Sequence, residues 1–218
     1  MDVLKFDIEG AKKGMIQHLI KYNYIKSEKV ISAMLKVDRV NFVPKEYMAD
    51  AYSDYPLSIG FKQTISAPSI VGLMTEVLDI RENDKILEIG CGSGYQAAIL
   101  AEIAIKGKIY TVERIPELIE ITKEKLKKYN NIEILPGDGY YGYKEEAPYD
   151  KIIVTAAPVE IPGPLIEQLK TGGKMVIPVG GRYLQNLILA EKISQTKIKK
   201  TILCGCTFVP LISFSKKE

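Results

Sequence analysis

Three acids, a run of spaced glycines and two hydroxyls are the residues in this sequence with chemistry to offer. Glu88 stands just ahead of Gly90, Cys91, Gly92, Ser93 and Gly94, and Tyr95 follows. Glu113 comes about twenty residues after the glycines, at the distance where an acid commonly accepts hydrogen bonds from two ribose hydroxyls. Asp138 and Gly139 come later, in a Pro-Gly-Asp-Gly run. Glycines at 90, 92 and 94 let the backbone turn sharply and let a ligand approach the peptide groups. The N–H groups that open the following helix face the same space. A dinucleotide fingerprint, G-x-G-x-x-G, would place its third glycine at 95, where Tyr95 stands. An acid ahead of the glycines repels a pyrophosphate and suits a positively charged ligand. S-adenosylmethionine carries an ammonium, a sulfonium and no phosphate, so Glu88, Gly90, Gly92, Ser93 and Gly94 are expected to bind it. Glu113 is expected at its ribose, and Asp138 with Gly139 at its adenine amino group.

The hydroxyls are Thr64 and Ser66, two residues apart in Gln63-Thr64-Ile65-Ser66-Ala67-Pro68. Read alone, they stabilise a turn before Pro68. The surrounding stretch, 51–68, mixes proline, glycine, serine and tyrosine and reads as a long irregular loop packed on the body of the protein.

Strand–helix alternation must position these groups. Apolar residues at 85–89 form a strand that runs into the glycines, and a helix follows over 95–104. A second strand covers 108–113, with its helix opening at Pro116 and reaching about 128. Strands at 131–135 and 149–156 follow, and the second of these is nearly continuous Ile and Val, hence central. A short helix over 164–170 stops at Gly172-Gly173, before a strand at 174–179. Segments 184–193 and 197–208 read as a hairpin turning at Ser194-Gln195, so the last strands are antiparallel. Gln185 and Asn186 place amides there that either meet a peptide backbone or are simply solvated. Two helices occupy 9–36, with Ser27 as cap of the second, and another begins near Ser69. In an open α/β sheet, ligands lie beyond the carboxyl ends of the strands, and Glu88, Glu113, Asp138 and Thr155 all fall there.

The chain has 218 residues, 46% of them hydrophobic, enough for one large domain with an extension. The expected division is a helical extension with its loop over 1–80 and a ligand-binding core over 81–218. A net charge of +3 argues against nucleic acid as a partner, which demands a concentrated basic face. No membrane span or leader is visible, so a cytoplasmic chain is the default expectation. The spacing of the three cysteines and the single histidine suits no metal, and the thiols read as buried. The absence of tryptophan, a single histidine and many Lys, Glu, Ile and Tyr residues are compatible with a thermophile source.

The sequence resembles the protein-L-isoaspartate O-methyltransferase family over 38–211. The resemblance rests on Arg39-Val40-Asn41-Phe42-Val43-Pro44, Ala51-Tyr52-Ser53-Asp54, Pro56-Leu57-Ser58-Ile59-Gly60, Gln63 to Pro68, Leu87 to Gln96, Gly137-Asp138-Gly139, Ala147-Pro148-Tyr149-Asp150 and Phe208-Val209-Pro210-Leu211. Cys91 and Ser69 depart from residues frequent in the family. The resemblance implies a doubly wound, Rossmann-like methyltransferase sheet, mostly parallel, with an antiparallel C-terminal hairpin and an N-terminal helical extension. It implies S-adenosylmethionine as cofactor, S-adenosylhomocysteine as product, and isoaspartyl proteins and peptides as substrates. It assigns Ser66 to the active site, with Thr64 beside it, both as donors that position a carboxylate. Rival readings are another S-adenosylmethionine methyltransferase acting on a small molecule or RNA, and a non-catalytic binder of an adenosine ligand. A nicotinamide oxidoreductase is disfavoured by Tyr95 and Glu88.

Overall fold

A computed structural model describes residues 7–214. Nine strands and six α-helices are present among them. The first helices are α1 (Ile8–Lys21), α2 (Glu28–Lys36) and, later, α3 (Pro68–Leu78). The alternation expected from sequence then follows as β3 (Lys85–Ile89), α4 (Tyr95–Ile103), β4 (Lys108–Glu113), α5 (Pro116–Leu126), β5 (Ile132–Pro136) and β6 (Tyr149–Val154). It ends with α6 (Gly163–Gln168), β7 (Leu169–Gly180), β8 (Gln185–Lys192) and β9 (Ile198–Cys206).

Seven strands form one sheet in the order β5-β4-β3-β6-β7-β8-β9. The strands from β5 to β7 are parallel, and β8 and β9 run antiparallel at the far edge. The chain moves outward from β3 through β4 to β5, then returns to place β6 on β3's other side. The carboxyl ends of β3, β4 and β6 therefore meet at the switch in strand order, where such sheets bind ligands.

Alternation along β3 decides what each face holds. Ile86 packs with buried residues of α1 to α5, whereas Leu87 and Ile89 pack with Leu165 of α6 on the opposite face. Glu88 shares parity with Ile86 and so points into the larger helical layer.

Three local differences from the sequence reading have clear causes. The stretch read as an irregular loop contains a hairpin, β1 (Leu57–Gly60) with β2 (Gln63–Ile65), joined by Phe61 and Lys62. Both turn residues have positive φ, 52° and 58°, as a two-residue hairpin turn requires, yet neither is Gly, Asn or Asp. Each such residue costs roughly 1–2 kcal/mol over an ordinary conformation. The helix expected to reach 170 gives way at Leu169 to β7, whose early residues pair with Tyr149 across an irregularity. Ser27 does not cap α2 with its side chain; instead Glu76 of α3 accepts from Lys26 N at 3.0 Å, from Ser27 N at 3.2 Å and from Ser27 Oγ at 3.0 Å. Glu76 thus anchors the residues just ahead of α2 across a tertiary contact.

Cys91 is buried, Cys204 and Cys206 are partly buried, and all three are free thiols. Among the described residues no helix is long and apolar enough to cross a membrane, and no group of three His, Cys, Asp or Glu side chains is placed to hold a metal.

Candidate active site

A cavity of about 460 Å³ opens beyond the carboxyl ends of β3, β4 and β6, within the roughly 300–1,000 Å³ usual for small-molecule sites. Its walls include Gly90, Gly92 and Ser93 after β3, Glu113 at the end of β4, Gly139 after β5, and Thr155 after β6. The β1–β2 hairpin supplies Thr64 and the segment after it supplies Ser66.

The glycine turn is held from several sides. Gly90 has φ 91°, and a Cβ there would collide with Thr155 Oγ1. That hydroxyl donates to Gly90 O at 2.8 Å and Ile89 O at 3.0 Å. Thr122 of α5 donates from Oγ1 to Gly92 O at 2.8 Å. Gly94, at φ 85°, precedes the first turn of α4, and a Cβ there would press on Thr122 and Leu126. Gly94 therefore works by letting α5 close on the turn, and it is not in the cavity wall.

Glu113 is where the sequence places it. One carboxylate oxygen accepts from Gly92 N at 3.0 Å, and the other accepts from Arg114 N at 2.9 Å and Ile115 N at 3.0 Å. These bonds fix the carboxylate in the wall, and its remaining lone pairs suit two ribose hydroxyls. With three glycines opening space and Glu113 held beside them, the wall fits an adenosyl ligand free of phosphate.

Glu88 is placed differently from the sequence expectation. It is 0% exposed and lies behind the turn, not in the cavity wall. Thr111 donates to one of its oxygens, and the other has no hydrogen-bond partner among the described residues. Burial pushes its carboxyl up to about 8; the Thr111 bond opposes this shift and the nearby Glu113 adds to it. Glu88 is thus largely protonated at neutral pH, so the negative charge facing a cationic ligand has to come from Glu113. The unfolded carboxyl would titrate near 4.5. Folding holds the proton more tightly than the unfolded chain does, so stability falls as pH rises from about 4.5 to about 8. Glu88→Gln removes this cost. The melting temperature of the variant is expected to exceed that of the parent at pH 9, with the gap narrowing toward pH 5; a gap independent of pH would contradict this.

Asp138 is likewise outside the wall. Its carboxylate accepts from Tyr140 N at 3.0 Å, Ser213 Oγ at 2.7 Å and Phe214 N at 2.8 Å. It therefore ties down a C-terminal strap whose residues Val209 to Ile212 do line the cavity. Ala157 N donates to Val209 O at 2.8 Å, and Leu211 N donates to Ala157 O at 2.9 Å, which fastens the strap beside β6. Gln185 closes the near end, its amide exchanging bonds with Phe208 N and O. That amide is spent within the fold and is only 3% exposed, so it neither meets a peptide nor is solvated, the two alternatives left open by the sequence. Asp138→Ala is expected to speed amide exchange across 209–214 and to raise the dissociation constant for S-adenosylhomocysteine together. A change in the constant with unaltered exchange would show that Asp138 touches the ligand directly.

Thr64 and Ser66 both line the cavity, and neither hydroxyl is hydrogen-bonded among the described residues. They do not cap α3. Its N-cap is Ala67, and Asp54 accepts from Ser69 N at 2.9 Å in their place. The turn-stabilising reading of these hydroxyls therefore finds no bond to support it. Sequence reasoning missed the braces Thr111 and Thr122 and the lining by Met74 and Val209 to Ile212. The only signal for the strap was the Phe208 to Leu211 segment noted in the resemblance.

Comparison with known proteins bears on this geometry. A family model described as Protein-L-isoaspartate(D-aspartate) O-methyltransferase (PCMT) matches residues 10–216. A protein-L-isoaspartate O-methyltransferase of Dictyoglomus thermophilum is 51% identical over 215 residues, covering 97% of this chain and 96% of that one. Protein-L-isoaspartate O-methyltransferase 2 of Archaeoglobus fulgidus is 53% identical over 203 residues, covering 92% of each. Among solved structures, a Plasmodium falciparum protein of this name in complex with S-adenosyl-L-homocysteine superposes with a TM-score of 0.81 at 26% identity, over 92% of this chain and 97% of that one. The mostly parallel sheet with its antiparallel edge is thus the fold of that structure, and this chain belongs to the protein-L-isoaspartate(D-aspartate) O-methyltransferase family.

Proposed function

We propose that this chain transfers a methyl group from S-adenosylmethionine to the free α-carboxylate of L-isoaspartyl residues in proteins and peptides. The observation that carries this reading is the pair of unengaged hydroxyls, Thr64 and Ser66, facing the same cavity as Glu113 and the glycine turn. Glu113 would hold the ribose, and Gly90, Gly92, Ser93 and Gly139 would let the nucleoside and its amino-acid tail approach the backbone. When bound, the cofactor supplies an electrophilic methyl group on a sulfonium.

The substrate needs no general base. A carboxylic acid with a pKa near ~4 is already ionised at neutral pH. The chain's task is to hold that carboxylate in line with the methyl at roughly 3 Å and to exclude water. Hydroxyl donors do this without the fixed charge of an arginine, which would quench the nucleophile. Transfer would exchange the sulfonium's S–CH3 bond for an O–CH3 bond on the carboxylate, with the electron pair left on sulfur, so an anion and a cation would become a neutral ester and a neutral thioether. Apolar wall residues such as Ile65, Met74, Val112 and Leu211 favour that loss of charge by replacing water. The released ester closes to a succinimide, which reopens in part to normal aspartate and so begins repair.

Residues 1–80 and 81–218 work together in this reading, because the hairpin of the first completes the cavity of the second; positions 1–6 and 215–218 lie outside the described residues. Free thiols and substrates drawn from ageing proteins fit a cytoplasmic setting. Labelled methyl transfer to an isoaspartyl peptide, beside its aspartyl isomer, tests the proposal. Label on the isoaspartyl peptide alone, released by mild base, is expected; equal label on both would contradict it.

A further inference from the structure

The hairpin turn that carries Lys62 is an unusual place to keep a long cationic side chain. Phe61 and Lys62 occupy left-handed backbone conformations that glycine would adopt without cost. Strain of this kind persists where the surrounding structure fixes it, and it gathers at functional sites. Lys62 is exposed, yet it lines the cavity two residues from Thr64 and four from Ser66. Its ammonium makes no hydrogen bond or ion pair among the described residues. The charged side chains in the cavity wall are Lys62, Glu113 and Arg114. Glu113 is occupied by three backbone donors, and the Arg114 guanidinium stands 6.0 Å from the centre of the Phe214 ring. Lys62 is therefore the cation on the hairpin side of the cavity that remains open to a visitor.

Lys62 and Thr64 are two positions apart and line the same cavity as Ser66, so a peptide whose carboxylate is held by Thr64 and Ser66 passes within reach of the flexible Lys62 arm. We infer that Lys62 is a specificity-determining residue that favours isoaspartyl peptides with an acidic side chain within two residues of the damaged site. This rests on the isoaspartyl reading above and adds a preference among its substrates. The reacting carboxylate itself stays with the neutral hydroxyls, while the neighbouring acid meets the ammonium at the solvent-exposed rim. A rim charge pair of this kind is worth up to about fivefold in binding and weakens as salt rises.

The test uses two isoaspartyl peptides that differ only in Glu or Lys beside the damaged residue. The value of kcat/KM is measured for each, at low and high salt, with the parent enzyme, Lys62→Gly and Lys62→Glu. Glycine accepts the left-handed turn, so Lys62→Gly removes the ammonium without forcing the backbone to move. The parent is expected to prefer the Glu peptide by about fivefold at low salt, a preference that shrinks at high salt. Lys62→Gly should erase the preference and Lys62→Glu should invert it. Methylation of both peptides at an unchanged ratio in all three proteins would overturn the inference alone. Failure of every protein to methylate either peptide would overturn the isoaspartyl reading, and this inference with it.

Discussion

Ser66→Ala lowers kcat for an isoaspartyl peptide by on the order of 10²-fold, while the dissociation constant for S-adenosylhomocysteine stays within about twofold. The size follows from what the hydroxyl supplies. A hydrogen bond to a charged group contributes about 1.5–3 kcal/mol, and loss of a positioned donor in an enclosed site costs about 10²–10³ in turnover. Ser66 makes no bond within the described residues, and α3 is capped by Asp54, so the fold loses little when the hydroxyl goes. Its melting temperature should match the parent's. Ser66→Thr, which keeps a hydroxyl, should recover part of the rate. Rapid-mix single-turnover kinetics beside calorimetric binding separate the two effects. Equal losses in turnover and cofactor affinity would assign Ser66 a structural role instead.

Glu113→Ala produces the opposite pattern. The affinity for S-adenosylhomocysteine should fall by about 10²–10⁴-fold, because two charge-assisted bonds to ribose hydroxyls disappear at about 1.5–3 kcal/mol each. Part of the loss is indirect. Gly92 N, Arg114 N and Ile115 N lose their acceptor, and the turn that presents the glycines loosens. Glu113→Gln keeps the shape and one accepting oxygen, so its affinity should fall between those of the parent and the alanine variant. Calorimetry reads both constants. An unchanged constant in Glu113→Ala would remove this carboxylate from the cofactor site.

The parts of this site that were legible in the sequence are those written by local pattern. An apolar strand running into spaced glycines fixes β3, its turn and the start of α4, and with them Gly90, Gly92 and Ser93 in the cavity wall. Glu113 was legible because a strand-end acid at that distance has one obvious use. Glu88 was misplaced because it stands inside β3, one residue short of its end and buried behind the glycine turn, and no local signal tells a buried strand acid from one at the cavity wall. The β1–β2 hairpin was hidden for a different reason. Its turn residues are Phe61 and Lys62, which lack the Asn-Gly or Asp-Gly signature that marks such turns. Asp138 was read as a ligand contact because its bonds to Ser213 and Phe214 span 75 and 76 positions, beyond the reach of any periodicity.

The most direct measurement is a crystal structure with S-adenosylhomocysteine and an isoaspartyl peptide bound together. Both Glu113 oxygens are expected to face the ribose hydroxyls, and the free α-carboxylate to lie within hydrogen-bond distance of the Thr64 or Ser66 hydroxyl, aimed at the sulfur. A peptide whose carboxylate lies away from both hydroxyls, or a nucleoside seated apart from Glu113, would contradict this.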